Sequence, residues 1–387
     1  MSIGDARNVD LSTCDREPIH IPGSIQPHGV LFALEEETMS VLQVSENVAD
    51  FFGSKAADVL GRSIGELLSG SRERDLRAAL PKLVAAEPIL LMSFEHGGGE
   101  LNVVGHRSDG VIVVELEPAD PIATEGIPHD LHSIVAAFIA KVQGVPTVPE
   151  LGKLVATEVR QVTGFDRVLV YRFDEDGTGI VVAEDRNEAF PSLQDHRFPA
   201  SDVPKQAREL YRLNRLRIIP NAGYRPSTIV PTANPVTGRP LDLSFSTLRS
   251  VSPIHVEYLK NMGTEASMSV SVLLEGQLWG LISCHHATPR EVPFEARAAC
   301  DLLAQVFSLQ IASRARAADV ERRVELKSSL TRLLAHMAEA DDFTSGLLAY
   351  PGDLLEFAHA AGVAIVKEDT CHLIGRTPTV EEVRALA

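Results

Sequence analysis

Short apolar runs separated by polar, turn-forming residues dominate the first part of the chain. Four of these runs, arranged in two pairs, have the length and spacing of β-hairpin strands: 30–34, 41–44, 101–104 and 111–116. Three segments between the two pairs have apolar residues at helical spacing: 56–60, 64–68 and 76–84. The pattern therefore predicts a small α+β domain over residues 20–118, followed by a proline-containing linker over 119–128.

The same kinds of pattern predict a second α+β domain over residues 129–310. Two amphipathic helices begin it: 129–142 and 149–162. Four strand-like runs follow and form two predicted hairpins: 168–173, 180–184, 267–274 and 277–284. Between the hairpins lies a long irregular stretch, 220–246. A connection of that length inside a compact domain usually has a function or is disordered.

Residues 294–339 follow with helical spacing, and this segment contains neither glycine nor proline. A helix longer than about 25 residues suggests a spine or a coiled coil, which often forms a dimer contact. The alternative is a long helix packed on its own domain. We take residues 311–340 as a helical spine. The remaining residues, 341–387, predict one helix (353–361) and two strands (362–367 and 370–374) of a third domain, too few for a core of the usual size.

Length and charge narrow the class of protein. At about 150 residues per domain, 387 residues correspond to between two and three domains. The chain has 36 lysines and arginines against 53 aspartates and glutamates, and its net charge of −17 disfavours binding to nucleic acid or anionic lipid. No apolar run approaches the roughly 20 residues of a membrane span, and the polar N-terminus has no secretory signal. We therefore expect a soluble, cytoplasmic protein.

The charge is unevenly distributed along the chain. Residues 201–260 contain nine basic and four acidic side chains, which gives this segment a net charge of +5. Most of the basic residues are arginines, which favour bidentate recognition of carboxylate or phosphate. The segment therefore predicts a site for an anionic ligand or an anionic protein surface. The alternative is a solvated loop whose arginines pair with acidic residues elsewhere in the chain.

Several polar residues in the second domain have the spacing of a binding site. Ser267 and Ser269 alternate with apolar residues on a predicted strand, so their hydroxyls share one face. His255 begins an amphipathic helix, whereas His285 and His286 are adjacent strand residues that point to opposite faces, which makes a metal site weak. The four cysteines are far apart and indicate neither a disulfide framework nor a zinc ribbon: Cys14, Cys284, Cys300 and Cys371.

Four sequence runs, in this order, resemble the motifs of bacteriophytochromes: 14–29, 197–204, 248–255 and 279–286. Bacteriophytochromes are red/far-red photoreceptors that bind the linear tetrapyrrole biliverdin. The resemblance implies that the three predicted domains are a PAS domain, a GAF domain and the first part of a PHY domain. It also implies a figure-of-eight knot, in which the loop 220–246 encircles the N-terminal arm, residues 1–19.

The resemblance implies a role for each of thirteen residues around the bilin. Four are similar to holders of one propionate: Tyr211, Arg217, Arg249 and Ser252. Three are similar to holders of the other: His255, Ser267 and Ser269. Asp202 resembles the residue whose main-chain carbonyl accepts from the pyrrole N–H groups and whose carboxylate takes part in proton exchange, with a water shared with His255. The rest resemble the lining of the ring that rotates, with His285 as the donor to its carbonyl: Tyr171, Phe198, Val203, Tyr258 and His285.

Cys14 resembles the upstream cysteine that attaches biliverdin through a thioether to the vinyl group of ring A. Plant and many cyanobacterial phytochromes place their cysteine directly before the histidine of the S-P-x-H-type motif, where this chain has Ile254. The resemblance therefore implies covalently attached biliverdin IXα rather than a more reduced bilin. One departure is Val203, where the family more often has isoleucine, and we expect it to change the packing only slightly.

The mechanism that the resemblance implies is photochemical. Red light isomerises the bilin, ring D rotates, hydrogen bonds from His285 and around Asp202 rearrange, and a signal passes along the long helix of a homodimer. The parent protein would be a sensor histidine kinase with a response regulator. The sequence contains no kinase motifs and no tongue motif of the PHY domain. We therefore expect impaired formation of the far-red-absorbing state, and near-infrared fluorescence that competes with photoconversion.

Two other classes of function are also compatible with parts of the sequence. A GAF-type regulatory module that binds a cyclic nucleotide or another small anion would also use an arginine-rich site, although Cys14 and the 197–204 run argue against it. A hydrolase would need a nucleophile pair, for which Cys14 with His20 or the Cys284-His285-His286 run are the candidates. Neither has an orienting acid or an oxyanion-hole motif.

Overall fold

The computed structural model describes residues 17–84, 87–119 and 131–387, so Cys14 lies outside the described residues. The chain divides into one unit that ends at Ile311 and a second unit, Ala312–Ala387. The strands of the described residues are β1 (Ser24–Ile25), β2 (Val30–Leu34), β3 (Val41–Ser45), β4 (Ile89–His96), β5 (Gly99–Ser108), β6 (Val111–Pro118), β7 (Arg167–Phe173), β8 (Gly179–Arg186), β9 (Arg197–Phe198), β10 (Leu216–Ile219), β11 (Ser227–Val230), β12 (Ala266–Leu274), β13 (Gln277–His286), β14 (Gly362–Lys367) and β15 (Thr370–Gly375). The helices are α1 (Val48–Phe52), α2 (Ala56–Val59), α3 (Ile64–Leu68), α4 (Gly70–Ala79), α5 (Leu131–Val142), α6 (Val148–Thr163), α7 (Lys205–Leu213), α8 (Pro253–Asn261), α9 (Phe294–Glu339), α10 (Phe343–Ala349), α11 (Pro351–Ala358) and α12 (Val380–Leu386).

The first domain is built on a seven-stranded antiparallel sheet in the order β1-β11-β3-β2-β6-β5-β4. Both predicted hairpins are confirmed, since β2 pairs with β3 and β5 pairs with β6. Phe32 and Val114 from one face of the sheet form a core with Ile64 and Leu76 from the helices. The α3 helix begins where Ser63 accepts a hydrogen bond from the Gly65 amide, a serine N-cap. The sequence pattern missed the short β1 and α1 and the edge strand β4.

The opposite face of this sheet packs against the long loop of the second domain. Leu31 and Val113 from the sheet form a cluster with Ile229 and Leu243 from the loop. The stretch 220–246 was predicted to be irregular, but it contains β11, which pairs with β1 and β3 of the first sheet. A strand of four residues that completes a sheet from a distant part of the chain has no local pattern strong enough to predict it.

The long loop also forms backbone hydrogen bonds with the N-terminal segment, by which we mean residues 17–24. The Leu243 amide donates to the His20 carbonyl at 2.8 Å, and the Ile229 amide donates to the Gly23 carbonyl at 3.0 Å. Directly after the loop, the Ser250 amide donates to the carbonyl of Ser24 at 3.1 Å. The long loop and the residues after it therefore lie directly against residues 20–24.

The second domain contains a six-stranded antiparallel sheet in the order β10-β12-β13-β7-β8-β9. One face forms the core with α5, α6 and α9, in which Val155 and Phe307 from the helices belong to the same cluster as Met268 from the sheet. The predicted helices and hairpins of this domain are confirmed. The N-terminus of α6 is fixed by a capping box between Thr147 and Glu150.

The α9 helix spans Phe294–Glu339, the limits that the sequence pattern predicts, and its 46 residues exceed those of every other helix in the described part of the chain. The second unit contains the end of this helix, three short helices and the β14–β15 hairpin. The helix predicted at 353–361 ends earlier, at Ala358, because His359 adopts the left-handed conformation with φ of 45°. No helix among the described residues is both long and apolar enough to span a membrane.

Candidate functional site

The candidate site lies on the face of the second sheet opposite to the one that α5, α6 and α9 cover. Along β12, Met268 belongs to the core beneath the helices, whereas Ser267 and Ser269 line a cavity on the opposite face. The predicted common face of the two serines is therefore confirmed. In the sheet register Ser269 is opposite Arg217 of β10, and Ser267 is opposite His285 of β13, so donors from three strands come together.

A cavity of about 470 Å³ adjoins this face, and α7, α8 and the N-terminal segment complete its walls. Its volume is typical of small-molecule sites. A second cavity, of about 80 Å³, shares lining residues with the first. Every predicted binding residue that the structure describes lines one or both cavities: Tyr171, Phe198, Asp202, Val203, Tyr211, Arg217, Arg249, Ser252, His255, Tyr258, Ser267, Ser269 and His285.

Two arginines give the larger cavity a strongly cationic wall. The Arg249 side chain is buried, and burial followed by repulsion from Arg217 lowers its pKa to about 9. Burial also lowers the pKa of Arg217, and within the described part of the chain its guanidinium donates to the backbone carbonyls of Thr247 and Arg249. Within the described ranges neither guanidinium forms an ion pair. The cavity therefore presents two cations that an anionic ligand can neutralise.

His255, Tyr258 and Asp202 form a second polar group at the junction of the two cavities. The rings of His255 and Tyr258 are stacked with centroids 6.2 Å apart, and the Tyr258 hydroxyl donates to the Asp202 carboxylate at 3.3 Å. Burial, followed by the charge of Arg217, lowers the pKa of His255 to about 4, so its imidazole is neutral at pH 7. Burial and the nearby Asp202 raise the pKa of Tyr258, which therefore remains a hydrogen-bond donor.

The smaller cavity has an aromatic wall formed by Tyr171 and its neighbours. The Tyr171 ring lies 5.1 Å from the ring of Phe173 and 5.9 Å from that of Phe198. Burial followed by the charge of Asp202 raises the pKa of Tyr171 to about 12. A β-carbon at Gly179 would lie 1.7 Å from the Tyr171 ring, so only glycine at this position leaves room for the ring.

The two adjacent histidines at the end of β13 have different surroundings. His285 lines the smaller cavity, with Nε2 3.2 Å from Oγ of Ser283, and burial, followed by the charge of Arg167, lowers its pKa to about 3. His286 points to the other side of the strand, where its Nδ1 lies 2.7 Å from the Asp166 carboxylate. The predicted opposite orientation of the two side chains is confirmed.

The N-terminal segment contributes to the larger cavity, the pocket that the resemblance implies the arm with Cys14 must reach. Glu17 and Ile19 both line it. The Ser252 hydroxyl donates to the Glu17 carboxylate at 2.6 Å, and the Arg249 guanidinium donates to the Ile19 carbonyl at 3.2 Å. The segment that follows Cys14 in the chain is therefore fixed at the cavity.

Sequence reasoning missed three residues that support the site. Glu17 stands among polar residues in the sequence, with no periodic pattern. The only indication that it belongs to the site is its place in the 14–29 run. Arg167 follows the alternation of a strand, and only the register of β7 against β13 brings it to His285. The hydroxyl of Tyr224, in the long loop, accepts from the Val251 amide at 2.8 Å beside the start of α8.

Three family models match consecutive parts of the chain: the PAS fold at residues 14–119, the GAF domain at 148–314 and the phytochrome region at 326–387. Among curated proteins, the chain is 40% identical to cyanobacterial phytochrome B of Nostoc sp., over 98% of this chain and 51% of that protein. It is 38% identical to a bacteriophytochrome of Pseudomonas aeruginosa, over 89% of this chain and 46% of that protein. The chain spans about half the length of the curated relatives it matches.

Solved structures show the same likeness. The bacteriophytochrome RpBphP3 from the photosynthetic bacterium R. palustris has a TM-score of 0.86 at 42% identity, over 97% of this chain and 75% of that one. The phytochrome photosensory core module of Stigmatella aurantiaca has a TM-score of 0.82 at 41% identity, over 98% of this chain and 76% of that one.

PAS, GAF and PHY domains in this order, with the cationic cavity in the middle domain, define a phytochrome photosensory protein. Because of its identity to solved bacteriophytochromes over three quarters of their chains, the chain belongs to the bacteriophytochrome family.

This family implies a bilin chromophore, a long conjugated molecule with two acidic side chains, and the cavity fits such a molecule. Arg217 and Arg249 supply two cations, and Nε of Arg249 is buried without a hydrogen-bond partner among the residues described. Tyr171, Phe198 and Tyr258 supply flat apolar surfaces for the ring system.

Proposed function

We propose that the chain is the light-sensing part of a red/far-red photoreceptor that binds biliverdin IXα. The observation that carries this proposal is the pair Arg217 and Arg249. Both guanidinium groups line a cavity of about 470 Å³, and no carboxylate of the described residues pairs with either. Biliverdin carries two propionates on a conjugated skeleton, so one ligand would neutralise this charge and fill the apolar space.

Seven side chains would hold the two propionates. One propionate would lie with Tyr211, Arg217, Arg249 and Ser252, and the other with His255, Ser267 and Ser269. Guanidinium, imidazole and hydroxyl groups are suitable donors to carboxylates. The pairing of Ser269 opposite Arg217 supports the proposal, because it brings donors for both propionates to one face of the sheet.

The remaining predicted residues would surround the rings. The main-chain carbonyl of Asp202 would accept from the pyrrole N–H groups, and its carboxylate, which accepts from Tyr258, would take part in proton exchange with His255 through water. When bound, the bilin supplies red-light absorption and isomerisation of the bridge between its C and D rings. Five side chains would surround ring D and exclude water from it: Tyr171, Phe198, Val203, Tyr258 and His285. Of these, His285 would donate a hydrogen bond to the carbonyl of ring D.

We also propose that Cys14 is the attachment site. Cys14 precedes Glu17 by three residues, and three residues of extended chain reach about 10 Å. Because Glu17 lines the cavity and is bonded to Ser252, a chain of this length can bring the Cys14 thiol to a ligand there. The thiol would add across the vinyl double bond of ring A, with sulfur bonded to one carbon and a proton gained by the other.

The signal would leave the site through the second domain. The sheet that bears Ser269 and His285 packs with its other face against α9, so movement of these side chains is one layer away from the long helix. Beyond this chain, we propose a homodimer formed through the spine at 311–340, a histidine kinase output with its response regulator, and a cytoplasmic location. The loop 220–246 would encircle the N-terminal arm.

The test is a binding experiment with purified chain and biliverdin. We expect an absorption band in the red, a pigment that stays with the protein in denaturing electrophoresis, and a band that changes on red illumination. Cys14→Ser should abolish the attachment, whereas the matched variant Cys371→Ser, at a half-buried cysteine in the second unit, should not. A chain without a red band, or attachment that survives Cys14→Ser, would contradict the proposal. Binding of a cyclic nucleotide instead would support the regulatory-module alternative.

A further inference from the structure

Arg167 and His285 form a buried contact at the edge of the smaller cavity. Arg167 is 2% exposed and is the residue of β7 opposite His285 of β13. Its Nε lies 3.2 Å from Nδ1 of His285, and its Nη2 lies 3.0 Å from the same nitrogen. Two nitrogen donors of one guanidinium therefore converge on a single nitrogen of the imidazole.

This contact determines the tautomer of the imidazole. A guanidinium has only N–H donors and no acceptor, so Nδ1 of His285 must accept and cannot carry a proton. A neutral imidazole has one N–H, which is therefore on Nε2. A doubly protonated imidazole would direct its Nδ1–H at the cation of Arg167, which opposes this form both by charge and by geometry.

The guanidinium of Arg167 is itself held in place. Its Nη1 donates to the Pro191 carbonyl at 3.1 Å, and its central carbon lies 4.5 Å from the centre of the Phe190 ring. With Nδ1 of His285 as the third contact, the group is fixed by a carbonyl, an aromatic face and an imidazole. The donor pair on Nδ1 is therefore a built feature of the sheet.

The other nitrogen of the imidazole is directed at the cavity side. Nε2 of His285 lies 3.2 Å from the Ser283 hydroxyl, and both residues line the smaller cavity. We infer that Arg167 is a positioning residue that holds His285 in the neutral tautomer with Nε2–H, so that His285 offers the cavity a donor and never an acceptor. In terms of the proposed function, on which this step rests, the ligand group that His285 recognises is a carbonyl.

The tautomer can be read without pigment. Nitrogen-15 NMR of histidine-labelled chain distinguishes protonated from unprotonated ring nitrogens, and the His285→Gln spectrum assigns the His285 signals. We expect wild-type His285 to have an unprotonated Nδ1 and a protonated Nε2 between pH 5 and pH 8. Arg167→Met should lose this signature, with a fraction of Nδ1–H tautomer at pH 8 and doubly protonated imidazole towards pH 5.

The choice of a control variant depends on the titratable and charged groups around Arg167 and His285. His255 and Tyr258 on α8 and Asp202 line the same cavity as His285, and the charges of Glu184 and Arg186 act on Arg167. Both acidic and basic groups that act on Arg167 are therefore left in place in the control. Arg172→Met removes a guanidinium of the same strand that donates to Asp174 and is not a donor to His285, so it should leave the His285 signals unchanged. Arg167→Lys keeps the charge and one donor and should restore much of the wild-type signature.

The outcomes separate this inference from the proposed function. Wild-type chain with Nδ1–H on His285, or Arg167→Met with wild-type signals at every pH, would overturn the role of Arg167. The wild-type measurement decides this even if Arg167→Met does not fold. A chain that shows the Nε2–H tautomer but forms no red band with biliverdin would overturn the proposed ligand and leave the role of Arg167 intact.

Discussion

The hydroxyl of Ser252 donates to the carboxylate of Glu17 at 2.6 Å, although 235 residues separate them in the chain. Ser252 is also the N-cap of α8, where its Oγ accepts from the Ile254 amide. The bond therefore joins the N-terminal segment to the helix that carries His255 and Tyr258 into the cavity. It makes the segment after Cys14 part of the binding site rather than a tail.

Glu17→Ala should slow covalent attachment without abolishing reversible binding. The substitution removes the bond that holds the segment at the cavity, so the effective concentration of the Cys14 thiol falls. We expect attachment to be several-fold slower, measured as the pigment retained in denaturing gels over time. The red band should form at its usual rate. Glu37→Ala, at an exposed glutamate in the β2–β3 turn, is the matched control, and equal slowing in both variants would argue against a tether.

Arg249→Met should have opposite effects on stability and on binding. Burial lowers the pKa of Arg249 to about 9, so folding with a charged guanidinium costs free energy in the pigment-free chain. We expect the variant to raise the free energy of unfolding by about 1 to 3 kcal/mol, measured by denaturant titration. A charged hydrogen bond contributes about 1.5 to 3 kcal/mol, so biliverdin affinity should fall by roughly tenfold to a hundredfold.

The control for Arg249 is Arg225→Met, at an exposed arginine of the long loop. It removes the same charge and should change neither stability nor affinity by a measurable amount. If Arg249→Met lowered the stability of the pigment-free chain, the guanidinium would be compensated within the protein and the argument for an anionic ligand would lose its support.

Glu115 should make stability fall as the pH rises. Its buried carboxylate on β6 accepts from the Leu248 amide at 2.7 Å and the Thr247 amide at 3.1 Å, at the end of the loop that leads to Arg249. Burial raises its pKa from 4.5 to about 7. The two hydrogen bonds and the charge of Arg297 act to lower the pKa, and the charge of Glu117 acts to raise it. Between pH 4.5 and 7 the folded state binds more protons than the unfolded state, so the free energy of unfolding decreases.

The measurement is the difference between wild type and Glu115→Gln in denaturant titrations from pH 4 to pH 8. Several buried histidines with lowered pKa, such as His106, act in the opposite direction, and the difference removes their contribution. We expect wild type to lose about 3 kcal/mol relative to the variant between pH 4.5 and 7. Glu100→Gln, at an exposed position of β5, should run parallel to wild type. A flat difference curve for Glu115→Gln would refute the raised pKa.

Gly179→Ala should displace the Tyr171 ring from the smaller cavity. A methyl group at this position would overlap the ring, and its strand partners in β7 and β9 leave it no space to withdraw. Overpacking of this kind costs about 1 to 3 kcal/mol. We expect a lower melting temperature, an altered near-ultraviolet circular dichroism of tyrosine and a shifted red band. Gly70→Ala, where a methyl group would meet open space, should leave all three unchanged.

The strongest sequence patterns predicted much of the fold, because their elements are stabilised by neighbours in sequence. The limits of α9 were predictable since 46 residues pass without a helix breaker. The β2 and β13 strands were predictable from dense apolar runs with turn residues beside them. β11 was not, because Ser227–Val230 gains its hydrogen bonds from β1 and β3, almost two hundred residues earlier in the chain.

The site was predictable to the extent that motif residues themselves line it. All thirteen described residues named from the motifs line the two cavities. The residues that hold these lining residues in place were not predictable, because they act through contacts that only the fold creates. Arg167 reaches His285 through strand register, and Glu17 bonds to Ser252 from 235 residues away in the chain. Glu115 acts from the first domain on the backbone of Thr247 and Leu248, just before Arg249.

The pleat of the second sheet assigns residues to two different tasks by the parity of their numbers. On β7, on β12 and on β13 from Gly280 onward, odd-numbered side chains such as Tyr171, Ser269 and His285 line the cavity, while even-numbered ones such as Met268 and Cys284 belong to the helix-covered core. A register shift at the start of β13 reverses the order there, and Trp279 packs on that core. Beyond this irregularity the three strands keep the same parity across the sheet. A library aimed at a new absorption colour would therefore randomise odd positions, and one aimed at heat resistance would randomise even positions. The two libraries would cover the same three strands and would have no position in common.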